Sequence, residues 1–224
     1  MIVLGIILGL LPGFAWLFFY LEEDVHPEPK RLIALTFVVG AAAAFLALAV
    51  EIFFNTAIRS ISAEKLTFSY LLVLGLIEEF IKFGAAYITV HKNPAFDEPV
   101  DAMIYMVVAS LGFATVENLG AINSNPAQTA LLGTVFATTS FRFIGATLLH
   151  SLTSALLGYY WAIGIRKMNA AKYIVIGLAV ATVLHGIFNY LIMNYGNALY
   201  SVVFLLVVGF FVLADFEQLK RRPI

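Results

Sequence analysis

The sequence predicts an all-α protein: a polytopic integral membrane helical bundle of about seven transmembrane helices plus one short re-entrant or interfacial helix. Three observations lead there. Of 224 residues, 62% are hydrophobic and only 12% charged, where a soluble domain carries about 25% charged residues. Mean hydropathy is +0.94. Apolar runs of about 20 residues, long enough to cross a bilayer, recur along the chain and are separated by short breaks with turn or charge signals, such as "EEDVHPEPKR", "HKNPAFDEP" and "RKMNAAK". With no internal repeat, low-complexity tract or soluble segment, residues 1–224 read as a single membrane domain.

The first run, 2–21, lacks a basic leader and an A-x-A cleavage pattern, so it reads as a retained span and not as a signal peptide. Further spans follow at 32–54, 66–90, 100–122, 143–165, 173–193 and 197–215. The segment 127–141, "AQTALLGTVFATTSF", is short for a crossing and reads as the re-entrant or interfacial helix. A net charge of -1 points to no nucleic acid or anionic partner, and the lack of cysteine excludes disulfides and thiolate metal sites. The lipid bilayer is the expected medium, and nothing specifies an oligomer.

Loop charge places the cell-membrane topology. With seven crossings and the N-terminus extracytoplasmic, Lys30, Arg31, Lys92, Arg166, Lys167, Lys172, Lys220, Arg221 and Arg222 lie inside with the C-terminus. Arg59, Lys65 and Arg142 lie outside, and Lys82 is in the membrane. An eighth crossing at 127–141 would give eight inside against four outside, so charge alone barely separates the two arrangements.

Depth supplies a second criterion. An ionisable group in hydrocarbon costs at least about 2.5–3.5 kcal/mol on insertion scales, so it normally faces the bundle interior with a partner or a function. Glu51, Glu78, Glu79, Lys82, Glu117 with Asn118, Arg142, His150, and His185 with Asn189 form this set. Lys82 follows Glu78 by four residues and Glu79 by three, so it reaches both carboxylates on one helix face. At about 1.5 Å per residue, seven crossings put Glu78 about 16 Å below the outer end of its helix, Glu117 about 8 Å, and His150 and His185 about 12 Å each. Four helices then bring carboxylates and imidazoles into one layer. Eight crossings would strand Glu117 near the inner surface.

A structural ion pair needs only one glutamate for Lys82, and the second is the excess group that points to chemistry. Hydroxyls at Ser151, Thr153 and Ser154 are ready partners for His150. Arg142 reads as an outer-interface residue reaching headgroups, Glu51 as solvated near its helix end, and "EEDVHPEP" as a solvated loop. A hydrolase needs a base for water, an acid for the leaving group and donors for the oxyanion. Glu78, Glu79, His150, His185 and Asn189 contain every role, and no covalent nucleophile with a triad pattern is visible. Two mechanisms stay open. In one, His150, His185 and a carboxylate, here Glu117, bind zinc while a remaining glutamate is the base; H-E-x-x-H is absent, so separate helices must assemble such a site. In the other, no cofactor is bound, and a glutamate and a histidine activate water directly. A proton- or cation-coupled transporter with a Glu/Lys/His relay is the competing function.

At "IEEFIKF", "FDEPVDAMIYMVVASLGFATVENL", "RFIGATLLHSLTSALLGYYWAIG" and "VLHGIFNYL" the chain resembles the PrsW family of intramembrane proteases, relatives of the CAAX-prenyl endopeptidases. The four stretches occur in the family's order, including its E-E-x-x-K and F-A-T-x-E-N motifs. The resemblance implies that Glu78, Glu79 and His185 are essential and that His150 and Glu117 belong to the site; Lys82, Asn118 and Asn189 read from the chain itself as supporting residues. Family members vary at Asn189. It also implies site-1 cleavage of a single-pass anti-sigma factor on its extracytoplasmic side, as the start of regulated intramembrane proteolysis in a stress response.

Overall fold

The computed structural model describes residues 2–24, 26–59, 67–123, 132–195 and 198–220. Its helices are α1 (Ile2–Leu21), α2 (Lys30–Arg59), α3 (Phe68–Val90), α4 (Pro99–Asn123), α5 (Leu132–Ile144), α6 (Ala146–Arg166), α7 (Ala170–Tyr195) and α8 (Ala198–Lys220). Six stretches are long and apolar enough to cross a membrane: Val3–Leu21, Lys30–Ala57, Pro99–Ile122, Gly133–Arg166, Ala170–Tyr195 and Ala198–Lys220. To these α3 adds a seventh. Its 23 residues span about 34 Å, enough for a hydrocarbon core of about 30 Å, although Glu78, Glu79 and Lys82 interrupt its apolar character.

The short helix expected at 127–141 corresponds to α5, residues 127–131 lying outside the described ones. It does not stand apart. Gly145 alone separates it from α6, and the hydrogen bonds run on through the junction, from Gly145 N to Phe141 O (2.9 Å) and from Leu149 N to Gly145 O (2.9 Å). The two segments form one long bent stretch. Trp16 Nε1 donates to Phe143 O (2.9 Å) and ties the bend to α1.

The centre of the bundle is α4, in which every residue from Pro99 to Thr115 is buried. A helix apolar on all sides belongs in such a position. Small residues bring its neighbours to backbone contact, the usual device for packing helices without a hydrophobic drive from water. A Cβ added to Gly112 would sit 2.0 Å from the Phe37 carbonyl oxygen, and one added to Gly40 of α2 would sit 2.0 Å from that of Ala109. Gly158 plays the same part for α6 against Ala102. The surface is inverted relative to a soluble protein: Phe53, Phe80, Phe210 and Val38 are exposed, and lysine, glutamate and histidine are buried.

The ends alternate as an odd number of crossings requires. The start of α1 lies beside the end of α4, with Gly5 next to Ile122. At the other end Lys220 pairs with Glu23 (2.5 Å), joining the last turn of α8 to the segment after α1. There the "EEDVHPEP" turn is not simply solvated, as the sequence suggested. Asp24 is buried and accepts from the backbone N–H of His26 (3.1 Å) and Glu28 (3.2 Å). Tyr105 donates to Glu28, His26 meets Glu98 (2.6 Å), and Asp101 accepts from the backbone of Asp97 (2.9 Å) and Glu98 (2.7 Å) at the start of α4. Burial pushes the carboxyls of Asp24 and Glu28 above the ordinary carboxylate range.

Candidate active site

The excess carboxylates meet their partners at the opposite end, among α3, α4, α6 and α7. Gly75, one turn before the glutamates, permits this. A Cβ there would meet His185 Cβ at 3.3 Å and Thr182 O at 3.5 Å, so the bare face lets α7 come close enough for its histidine to reach α3. On α7, Gly186 makes the same allowance for Leu72.

Glu79 is fully buried, and its Oε1 accepts from Lys82 Nζ (2.6 Å), Thr153 Oγ1 (2.9 Å) and His185 Nδ1 (2.8 Å). Lys82 Nζ also donates to His150 Nδ1 (3.0 Å) and lies 5.5 Å from the centre of the Phe113 ring. On the far side of the imidazole, His150 Nε2 meets Glu117 Oε2 (2.8 Å). These partners assign the histidine protons. An ammonium only donates, so His150 Nδ1 accepts from it and Nε2–H donates to Glu117. His185 donates Nδ1–H to the Glu79 carboxylate, which leaves its Nε2 lone pair free. A carboxylate behind an imidazole in this way orients the ring and raises the basicity of the other nitrogen.

That free nitrogen faces Glu78. Glu78 Oε2 is 3.6 Å from His185 Nε2 and 3.8 Å from His150 Nδ1, too far for direct hydrogen bonds. It is buried and has no hydrogen-bond partner among the described residues. Glu79 Oε2 is likewise without a partner, and two open carboxylate oxygens in one buried cluster leave acceptors for a bound water or ion. A water or a cation seated between Glu78 and His185 would satisfy both.

The Glu117 carboxylate is held from two sides, by His150 and by Arg142 Nη2 (3.3 Å). Arg142 Nε donates to Asn118, whose amide donates to Thr147 Oγ1 (3.0 Å). The arginine expected to reach headgroups is thus drawn inward as the counter-ion of Glu117. Glu51, expected to be solvated, lies within hydrogen-bonding reach of Glu78 and lines a cavity with Glu117 and Arg142. Its depth was misjudged because α2 runs 30 residues to Arg59, beyond the apolar run that ends at 54. Thr153 serves Glu79 rather than His150. Asn189 is half-buried one turn beyond His185, and among the described residues no hydrogen bond joins it to the cluster.

The cation-ligand set also differs from the expected one. Donor atoms of Glu78, His150 and His185 all lie within 4.8 Å of one another, whereas Glu117 sits beyond His150, occupied by two donors. Two nitrogens and a carboxylate oxygen suit a zinc-type ion, and the unpartnered Glu78 Oε2 and free His185 Nε2 are ready for one. The third donor, His150 Nδ1, holds the Lys82 ammonium, which must yield it when a metal is bound.

A helical membrane bundle with a buried carboxylate facing an imidazole has the groups that an intramembrane hydrolase needs. Residues 28–214 match the profile described as PrsW family intramembrane metalloprotease, and the chain belongs to that family. Proteins named Protease PrsW are similar to it over most of its length. The protein of Geobacillus kaustophilus is 28% identical over 222 residues, 96% of this chain and 92% of its own length. That of Bacillus subtilis is 25% identical over 200 residues, 87% and 85% of the two chains, and that of Clostridioides difficile 28% over 195 residues, 84% and 78%. No solved structure matches the chain. The protein is therefore a membrane-embedded protease, which sets aside the ion-coupled transporter.

Proposed function

We propose that this protease makes the site-1 cut in a single-pass anti-sigma factor, on the extracytoplasmic side, with water activated at Glu78. The observation that carries the reaction is the buried, unpartnered Glu78 Oε2 facing the free His185 Nε2. A water lodged there gives its proton to Glu78 as its oxygen bonds to the scissile carbonyl carbon, and the carbonyl π electrons move to oxygen. Glu79 holds the His185 ring with Nε2 toward the water. Lys82, buried in the same cluster, supplies positive charge for the developing oxyanion. Glu78 then hands the proton to the leaving nitrogen as the C–N bond breaks, which returns the carboxylate to its starting state. If Glu78, His150 and His185 hold a zinc-type ion, it supplies Lewis-acid polarisation and a more acidic water.

The extracytoplasmic assignment rests on charge. Lys30, Arg31, Lys92, Arg166, Lys167, Lys172 and Lys220 gather toward the end opposite the cluster, and the positive-inside rule makes that end cytoplasmic. The N-terminus is then outside and the C-terminus inside. The chain has no cysteine, so single cysteines introduced at the two ends of α1 test this directly: the early one should react with an impermeant thiol reagent from outside, and the late one should not.

The reaction is tested with a single-pass reporter in vesicles. Glu78→Gln and His185→Ala should each lose at least about a hundredfold in cleavage while the protein stays inserted and folded. Full activity in both variants would overturn the mechanism. Chelation followed by zinc addition, with metal content measured on the same protein, separates the metal-dependent and metal-free forms.

A further inference from the structure

We propose that the cavity between α2 and α4 receives the substrate segment beside the scissile bond, and that Glu51 selects a basic residue, lysine or arginine, within that segment. The inference rests on the proteolytic reading above and concerns the substrate that the same centre accepts.

The cavity encloses about 640 Å3, within the range of sites that bury a ligand. Ala44, Leu48 and Glu51 of α2 form one wall, Phe113 and Glu117 of α4 the other, and Arg142 of α5 lies against it. It joins the catalytic cluster directly. Glu117 lines it and holds His150, while Glu51 is within reach of Glu78. On its outer flank Phe45 and Leu48 are 64% and 53% exposed on the face that meets lipid. A membrane-spanning substrate can therefore reach the centre sideways, between α2 and α4, and lay an apolar stretch against these walls.

Charge pairing then names the residue it brings. Around the cluster stand four carboxylates, Glu51, Glu78, Glu79 and Glu117, and two permanent cations, Lys82 and Arg142. Lys82 is paired with Glu79 (2.6 Å) and Arg142 with Glu117 (3.3 Å). Each histidine has one ring nitrogen bonded to a carboxylate, His150 Nε2 to Glu117 (2.8 Å) and His185 Nδ1 to Glu79 (2.8 Å). Neither Glu78 nor Glu51 has a lysine or arginine within ion-pair distance among the described residues. Glu78 faces the reacting water, and Glu51, whose carboxyl is within hydrogen-bonding reach of Glu78, is the carboxyl on the cavity wall with no cation of its own. A lysine or arginine in an otherwise apolar segment is complementary to it. An acidic residue at the same place would meet Glu51 and Glu117 and be rejected.

The test measures a preference, not a rate. Single-pass reporters carrying lysine, alanine or glutamate at successive positions around the cleaved bond are incubated in vesicles with wild type, Glu51→Gln and Glu51→Lys. Wild type should show one position where lysine is cut about tenfold faster than alanine and glutamate more slowly than either. In Glu51→Gln the lysine-to-alanine ratio should fall toward one, and in Glu51→Lys glutamate should become the preferred residue. If Glu51→Gln does not insert, Glu51→Asp should still reduce the ratio. A wild type with no such position, or a ratio unchanged in the Glu51 variants, overturns the subsite while leaving the proteolytic reading intact. A wild type that cuts none of the reporters overturns both.

Discussion

Both ends of this bundle gather carboxyls around histidine, and they come to opposite results. At one end Asp24, Glu28, Glu98 and Asp101 gather with His26 and Tyr105, and each carboxyl has a donor: backbone N–H, phenol or imidazole. At the other, Glu78, Glu79 and Glu117 gather with two histidines, a lysine and an arginine, and Glu78 Oε2 and Glu79 Oε2 are left over. An acidic cluster whose hydrogen bonds all close within itself fastens loops to helices. One that leaves a buried acceptor open beside a free imidazole nitrogen is arranged for a molecule from outside. The difference that matters is in satisfaction.

The largest expected effect breaks that contrast at its centre. Glu78→Gln keeps the shape of the side chain and removes its basicity, so cleavage should fall by about a thousandfold while the melting temperature in detergent stays close to wild type. Replacing Gly112 by leucine should do the reverse. Its first side-chain atom would overlap the Phe37 carbonyl at 2.0 Å, and the fold should lose at least about 1–3 kcal/mol, measured by thermal unfolding. Asp101→Ala removes the acceptor for two backbone N–H groups at the start of α4. It should cost about 1 kcal/mol of stability, with protein that remains folded still cutting the reporter.

The smallest effect is a pH dependence at the same end. The folded protein holds Asp24 and Glu28 with carboxyl pKa values raised by burial. Such groups favour folding when protonated, and that contribution is lost as pH rises through the ordinary carboxylate range and past the raised values. Glu28→Gln keeps an acceptor for Tyr105 without the charge. Its melting temperature should equal or exceed that of wild type at pH 7, and the gap should close as pH is lowered. A gap that widened toward low pH would mean that Glu28 serves the folded state as an anion.

Much of the site was legible before any fold was known, because charge inside hydrocarbon is costly and therefore conspicuous. Glu78, Glu79, Lys82, Glu117, His150 and His185 stood out on that ground, and counting residues from helix ends placed them in one layer. The same counting failed for Glu51 and Arg142. It took the apolar run for the whole helix, and α2 continues past its run to Arg59. For α5, length alone suggested a separate re-entrant or interfacial helix, whereas its hydrogen bonds through Gly145 join it to α6.

Composition and periodicity by themselves determined that this chain is a helical membrane bundle and which side chains its interior must accommodate, since both follow from the transfer of residues between water and lipid. Only the tertiary structure decided which of those side chains satisfy one another. Hydrogen bonds and ion pairs form over about 3 Å, and a register or rotation that linear spacing does not specify settles that Glu79, and not Glu78, takes the hydrogen bonds of Lys82, Thr153 and His185.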